Sequence, residues 1–219
     1  MRLTAYGRSV ILKVLLVSLL IDIIALLIDN EIIKIVLIIL SVFLIAFTLY
    51  FFRDPQRNVP QISDTEILSP ADGKIMLIEE TTEEHFLKSR ALVIGIFLSP
   101  FDVHVNRVPV SGTVKYVNYF KGEFIAAFEK DSSLRNERTE IGIEANGFKL
   151  LFKQIAGFVA RRIVCELRSG NTVKAGEKFG MIKFGSRVDV LIPVNSDVRV
   201  NLNQKVRGGE TILAEVKLG

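Results

Sequence analysis

Gly185 and Ser186 form a peptide whose side chain can attack its own backbone. The serine hydroxyl reaches the carbonyl of the preceding residue through a five-membered ring. Glycine at that carbonyl offers the least steric obstruction and tolerates the strained backbone the attack requires. The resulting ester can break by β-elimination, and the dehydroalanine left behind hydrolyses to an N-terminal pyruvoyl group. The surrounding stretch, Gly180-Met181-Ile182-Lys183-Phe184-Gly185-Ser186-Arg187-Val188-Asp189, is not the G-x-S-x-G elbow of hydrolases. Phe184 stands where that elbow needs glycine.

Two further polar clusters precede it. Phe97 to Pro109 reads FLSPFDVHVNRVP, and in an extended segment the side chains of Asp102, His104 and Asn106 share one face. An imidazole between a carboxylate and an amide is an acid/base arrangement; a hydrogen-bonded structural histidine is the plainer alternative. Leu68-Ser69-Pro70-Ala71-Asp72-Gly73 reads first as an Asp-Gly turn, and it adds a carboxylate. The other histidine, His85, sits in a polar run after Thr81-Thr82-Glu83-Glu84.

These residues must be held by β-structure. Beyond Pro55 the apolar residues come in short runs broken by Gly, Pro, Asn and Asp, among them ALVIGIFL, GTVKYVNYF, RRIVCEL and TILAEVKL. Such spacing predicts a mainly β domain, a compact sandwich or barrel-like fold. KGEFIAAFEK at 121–130 is the best candidate for a short helix, with a loop as the alternative. Two echoes occur. Ser69-Pro70-Ala71-Asp72-Gly73-Lys74-Ile75 resembles Val108-Pro109-Val110-Ser111-Gly112-Thr113-Val114, and Val173-Lys174-Ala175-Gly176-Glu177 resembles Val206-Arg207-Gly208-Gly209-Glu210.

The N-terminus is different in kind. Residues 10–28 and 35–52 are apolar, and the second stretch has no charge, long enough to cross a hydrocarbon core of roughly 30 Å. Asp29-Asn30-Glu31 joins them as a two-helix hairpin that anchors the chain, over residues 1–53. Asp22 weakens the first span, so a hairpin that only dips into the bilayer is the alternative to full crossing. Arg2, Arg8 and Lys13 precede the hairpin and Arg53 and Arg57 follow it, which places residues 54–219 on the cytoplasmic side of the cell membrane. Phe51 and Phe52 fall at the expected interface, and Arg53 and Arg57 would meet anionic headgroups.

Composition narrows the function further. Of 219 residues 49% are hydrophobic, and the mean hydropathy of +0.37 is high for a soluble chain. Net charge is +4, and no nucleic-acid motif accompanies it, so a membrane surface is the favoured partner and nucleic acid is not. One cysteine, Cys165, excludes a disulfide framework, and two histidines leave little for a zinc site, so no metal is expected.

From Phe51-Phe52-Arg53-Asp54-Pro55 almost to residue 193, the chain resembles the short-form pyruvoyl-dependent phosphatidylserine decarboxylases. The resemblance rests on SPADGKI at 69–75, FLSPFDVHVNRVPVSG at 97–112, KGEF at 121–124, NER at 136–138, QIAGFVARRI at 154–163 and AGEKFGMIKFGSRVDV at 175–190, in order. Archaetidylserine decarboxylases are similar in the same stretches, so the lipid tail stays open.

The resemblance implies a proenzyme that cleaves itself between Gly185 and Ser186, giving a large chain, 1–185, and a small chain, 186–219, capped by a pyruvoyl group made from Ser186. That group, and not pyridoxal phosphate, would be the cofactor: its carbonyl forms a Schiff base with the substrate amine and takes up electrons as CO2 leaves. The family's Asp-His-Ser relay matches Asp72 and Ser186. Its histidine is less direct, because longer members carry a second histidine where Arg107 stands. Either His104 serves both cleavage and decarboxylation, which is the expectation taken, or cleavage relies on Asp72 and another base. His104 is also the candidate proton donor to the carbanion. Arg161 and Arg162 are candidates for binding the lipid phosphate, with solvated or membrane-facing arginines as the alternative, and Asn136 is a further substrate-binding candidate. Partners implied are the serine phospholipid, the membrane, the two chains of the proenzyme and, as one option, a second copy in a homodimer.

A rival reading is a membrane-anchored β adaptor or a biotinyl/lipoyl-type carrier, whose turns SPADGKI and AGEKFGMIK resemble, with Lys183 as the modified lysine. That reading leaves SPFDVHVNR, NER and GSR without a role.

Overall fold

The computed structural model describes residues 2–125, 132–157, 162–183 and 186–218. The chain divides into two compact units, Met1–Gln56 and Arg57–Gly219.

The first unit is a helical hairpin. Helix α1 spans Arg8–Leu26 and α2 spans Glu31–Phe51. Asn30 starts α2 by accepting hydrogen bonds from the backbone N–H groups of Ile32 and Ile33 at 3.0 and 3.2 Å, which satisfies two otherwise unpaired donors. Each apolar helix is long enough to cross a bilayer: Ala5–Leu26, with its leading 3-10 turn, and Glu31–Phe51 have 22 and 21 residues. The polar atom in the middle of α1 has a partner. Ser41 of α2 donates to Asp22 Oδ2 at 3.1 Å, and Ser18 and Ser41 are buried between the helices, where small side chains let backbones approach. Arg2 O accepts from Asp54 N and Phe52 O from Thr4 N, so the two ends of the hairpin pair. Phe51 and Phe52 are fully buried, against the expectation that they face the interface; their rings pack edge to face at 5.1 Å, and Phe52 lies over Gly7, where a Cβ would come within 2.4 Å of the ring.

The second unit is β-structure, and 40% of the described residues are strand against 23% helix. In chain order the strands are β1 (Glu66–Leu68), β2 (Gly73–Glu83), β3 (Ser89–Leu98), β4 (Val105–Arg107), β5 (Gly112–Phe120), β6 (Arg138–Ala145) and β7 (Phe148–Ala156). Then follow β8 (Ile163–Cys165), β9 (Thr172–Val173), β10 (Lys178–Ile182), β11 (Ser186–Pro193), β12 (Asp197–Val198), β13 (Lys205–Val206) and β14 (Ile212–Glu215). Eight of them form one antiparallel sheet in the order β13-β2-β3-β11-β7-β6-β5-β9, curled like half a barrel. Three-stranded sheets β4-β10-β8 and β1-β14-β12 complete the unit.

Strand alternation explains which side chains reach the core. Ile94, Ile96 and Leu98 of β3, Leu150, Phe152 and Ala156 of β7, and Val188, Val190 and Ile192 of β11 share one buried cluster. Phe152 meets Phe179 of β10 edge to face, centroids 5.3 Å apart, which ties the small β4-β10-β8 sheet over this face. Leu151 and Leu191 point the other way, into a second cluster with Ala91 and Val93.

The sequence echoes are physically paired. Leu68 N donates to Pro109 O and Arg107 N to Pro70 O, both at 2.8 Å, so the two Pro-containing turns bind each other reciprocally. Gly209 N donates to Ser69 O and Gly176 N to Val108 O, also at 2.8 Å, so each glycine turn supports one of them. Gly176 and Gly209 both take positive φ, +82° and +76°, a conformation that glycine adopts without steric cost. Of the segment 121–130, residues 121–125 are not helical and the rest lie outside the described residues.

Candidate active site

Ser186 is the first residue of β11, and the sheet fixes it from both sides. It pairs with Leu98 of β3 and with Ala156 of β7. By alternation its side chain shares the core face with Val188, and it is fully buried. Its hydroxyl has no hydrogen-bond partner among the described residues. A buried, unsatisfied hydroxyl costs roughly 1–3 kcal/mol, so it calls for a reason beyond packing. Phe184 and Gly185 lie outside the described residues.

His104 immediately precedes β4 and is fully buried. Its backbone oxygen accepts from Ile182 N at 3.4 Å, while Leu98, six residues earlier, pairs with Ser186. The segments leading to His104 and to Ser186 are thus tied together at both ends. The His104 ring nitrogen Nδ1 lies 3.0 Å from the backbone oxygen of Asp102. A carbonyl only accepts, so Nδ1 carries the proton in this bond and Nε2 keeps the basic lone pair. The expected arrangement of an imidazole between the Asp102 carboxylate and an amide is not what forms. Asp102 turns its carboxylate back to accept from Ser99 N at 2.8 Å, because residues 99–102 form a turn and not a strand.

Asp72 sits just before β2, and the register that pairs Lys74 with Phe97 brings its neighbour Gly73 alongside β3. The strand β2 lies two spacings from β11, about 10 Å in the plane of the sheet. The Asp72 carboxylate accepts from Arg57 Nη2 at 2.6 Å and from Gly208 N at 2.8 Å, and neither His104 nor Ser186 is among its partners. Burial pushes its pKa above the usual aspartate value, the Gly208 N–H and Arg57 pull it down, and nearby Asp102 adds to the upward push. Arg57 is therefore not a headgroup contact: it is buried and bonds Asp72 and, at 3.4 Å, Glu210.

Arg107, at the position of the missing second histidine, has a structural task. It is 7% exposed, donates to Gly176 O at 2.9 Å, and passes so close to Gly209 that a Cβ there would meet its Cδ at 2.7 Å.

The headgroup candidates separate. Arg162 is exposed, and its backbone oxygen accepts from Lys183 N at 3.2 Å. Arg161 lies outside the described residues. Asn136 is fully buried with its amide committed to backbone: Oδ1 accepts from Ile125 N at 3.0 Å, and Nδ2 donates to Ile125 O and Ala156 O at 2.8 and 2.7 Å. It holds the 121–125 segment against the end of β7 beside Ser186.

Of three further buried polar residues, Gln154 was not singled out from sequence, whereas Asn106 was named beside His104 and Lys183 only in the carrier reading. Lys183 is 7% exposed, and burial followed by the charge of Arg162 lowers its pKa. Gln154 and Asn106 are fully buried and bonded to each other at 2.8 Å. A glutamine in the apolar run FKLLFKQIA was the available signal, since a strand facing the core should carry no amide there without a task. Cavities of about 420 and 350 Å³ lie elsewhere, the second on the outer face of the sheet beside the buried Arg187–Asp189 ion pair, and neither is lined by Ser186, His104 or Asp72.

Comparison with known proteins agrees along almost the whole chain. The profile of the phosphatidylserine decarboxylase family matches residues 44–214. A phosphatidylserine decarboxylase proenzyme of Chlorobium limicola is 47% identical over 212 residues, covering 97% of this chain and 99% of that protein. The proenzyme of Prosthecochloris aestuarii is 44% identical over 211 residues, 96% of each chain. That of Amoebophilus asiaticus is 46% identical over 177 residues, 80% of this chain and 78% of its own length. On this evidence the chain belongs to the phosphatidylserine decarboxylase family.

Proposed function

We propose that this chain is made as a proenzyme, cuts itself between Gly185 and Ser186, and then decarboxylates the serine headgroup of phosphatidylserine at a membrane surface. The observation that carries the reading is the fully buried Ser186 hydroxyl at the start of a central strand, without a partner among the described residues. A buried nucleophile suits an intramolecular reaction, because nothing has to enter from solvent.

In the cleavage step the Ser186 hydroxyl adds to the Gly185 carbonyl, the C–N bond breaks, and the Ser186 nitrogen takes the proton. Loss of the Ser186 α-proton then expels the Gly185 carboxylate, and hydrolysis of the resulting enamine releases ammonia. His104 Nε2 is the base proposed for moving these protons, since its Nδ1 is occupied by Asp102 O. Asp72, whose pKa burial has raised, is proposed as the second proton-handling group. The orphaned Ser186 side chain fits a residue that is to be converted into a pyruvoyl group, which would supply an electrophilic carbonyl able to hold the substrate amine and accept electrons as CO2 departs. His104 would then return a proton to the carbon that lost CO2. Arg162 and Lys183, adjacent cations on the approach to Ser186, are proposed to hold the lipid phosphate.

The helical hairpin would keep the enzyme at its substrate, with residues 54–219 on the cytoplasmic side as the flanking cations favour. The test is direct. Intact mass should give two chains, the smaller of 34 residues, and the purified protein should release CO2 from phosphatidylserine. An assay with archaetidylserine in parallel decides between ester and ether lipid. A single chain carrying extra mass on Lys183 would instead establish the carrier reading.

A further inference from the structure

Resting on that reading, we infer that the buried Asn106–Gln154 amide pair is a positioning unit for residue 186 in both of its chemical states. Gln154 Oε1 is the acceptor to which the Ser186 hydroxyl turns as it attacks, a bond not made in the uncleaved chain at rest, and Asn106 Nδ2 is the donor to the keto oxygen afterwards.

The orientation of the pair follows from a third atom. Gln154 Nε2 donates to Asn106 Oδ1 at 2.8 Å and to Val164 O at 3.3 Å. The Val164 carbonyl only accepts, so the glutamine nitrogen must face it and the amide cannot be flipped. That leaves Gln154 Oε1 as an open acceptor and Asn106 Nδ2 as an open donor. Both atoms are buried without a partner among the described residues, as is Ser186 Oγ. None of the three bonds another in this structure, and three such groups in one core are costly enough that a turn of the Ser186 side chain toward Oε1 is favourable.

The sheet register puts them within reach. Ser186 pairs with Ala156, and Val188 with Gln154. Ser186 and Gln154 are therefore diagonal neighbours on adjacent strands, on the same face, with Cα atoms about 7–8 Å apart. Asn106 stands on β4, in the sheet that covers this face, two residues from His104. A hydroxyl can donate, so it matches Oε1. Conversion of serine to a keto group removes that donor and leaves only an acceptor, which matches Nδ2.

The test separates the two roles. Precursor made by cell-free translation into lipid vesicles is followed by band shift, and carbonyl reactivity of the mature small chain by oxime formation with hydroxylamine in intact mass. Gln154→Met, which removes the acceptor, should slow cleavage about tenfold or more. Asn106→Asp keeps the acceptor for Gln154 Nε2 but removes the donor; it should cleave near the wild-type rate and form oxime, and turn over, roughly a hundredfold more slowly, the loss typical of one missing donor at a developing oxyanion. Thermal melting of each variant guards against misfolding, and Asn106→Ser serves as a smaller substitute lacking the amide donor. A purely structural role predicts lowered melting with both readouts moving together. Wild-type cleavage in folded Gln154→Met, or wild-type oxime formation in folded Asn106→Asp or Asn106→Ser, overturns the inference. A wild-type chain that never cleaves overturns the processing reading itself, and this inference with it.

Discussion

Arg57 Nη2 lies 2.6 Å from Asp72 Oδ2, while Gly208 N donates to the other carboxylate oxygen at 2.8 Å. The pair joins the first residue of the β unit to the turn before β2, and both side chains are largely buried. Burial raises the Asp72 pKa above its ordinary 3.8, and Arg57 is the charge that restrains the rise. Replacing Arg57 with Met should therefore push Asp72 further up. A carboxyl whose folded pKa is raised favours the fold while protonated and loses that contribution as pH rises through the raised value. Arg57→Met should accordingly be least harmful in acid and cost about 3 kcal/mol at higher pH, where a buried carboxylate is left without its counter-charge. Melting temperatures from pH 4 to 8 check this, and an equal loss at every pH would contradict it. If ionised Asp72 assists cleavage, the acid limb of the cleavage profile should move upward in the same variant.

His104→Ala should abolish decarboxylation and slow self-cleavage, because Nδ1 donates to the Asp102 carbonyl and Nε2 carries the basic lone pair. Steady-state turnover and precursor band shift measure the two separately. Wild-type turnover in this variant would remove His104 as the proton donor.

Glu83 accepts from three successive backbone N–H groups, His85 and Phe86 at 2.8 Å and Leu87 at 2.6 Å. Burial acts to raise its pKa, but those three N–H groups and Lys153 outweigh it and hold the carboxyl below the usual 4.5. A lowered carboxylate pKa stabilises the fold fully above the ordinary value, and that stability is lost as pH falls below it. Glu83→Gln should cost about 2 kcal/mol at neutral pH and progressively less below pH 4.5. Thermal unfolding at pH 7 and pH 3.5 reads the difference, and a cost unchanged in acid would show that the charge is irrelevant.

Short apolar runs with turn residues made the β unit and the helical hairpin readable, because alternation and span length are local properties. The Gly185-Ser186 peptide was equally local, since its chemistry needs only two adjacent residues. What was not readable depends on which strands become neighbours. Gln154 and Asn106 are 48 residues apart in sequence and meet only because β10 carries β4 over β7. Arg57 looked like a membrane-flanking cation until the turn before β2 gave it Asp72 and the turn after β13 gave it Glu210 as partners. Asn136, chosen as a substrate-binding residue, is consumed by three backbone bonds, two to Ile125 and one to Ala156 of β7, that only the fold supplies.

The processing reading turns on Ser186. Its hydroxyl must be the nucleophile, and its own backbone atoms must later become the keto group. Ser186→Ala retains the strand, since alanine fills the same buried position beside Leu98 and Ala156 and removes a hydroxyl that has no partner among the described residues. Stability should thus hold or rise slightly, while the chain stays whole at 219 residues and shows no decarboxylation. Ser186→Thr keeps the nucleophile but adds a methyl group in a fully buried site, so it should cleave slowly and leave a bulkier keto group with impaired turnover. Wild-type protein should yield a 34-residue small chain resistant to Edman sequencing, and hydroxylamine should inactivate the mature enzyme. An uncleaved wild-type chain that still releases CO2 from phosphatidylserine would eliminate the pyruvoyl mechanism and leave the family activity to be explained by another electron sink.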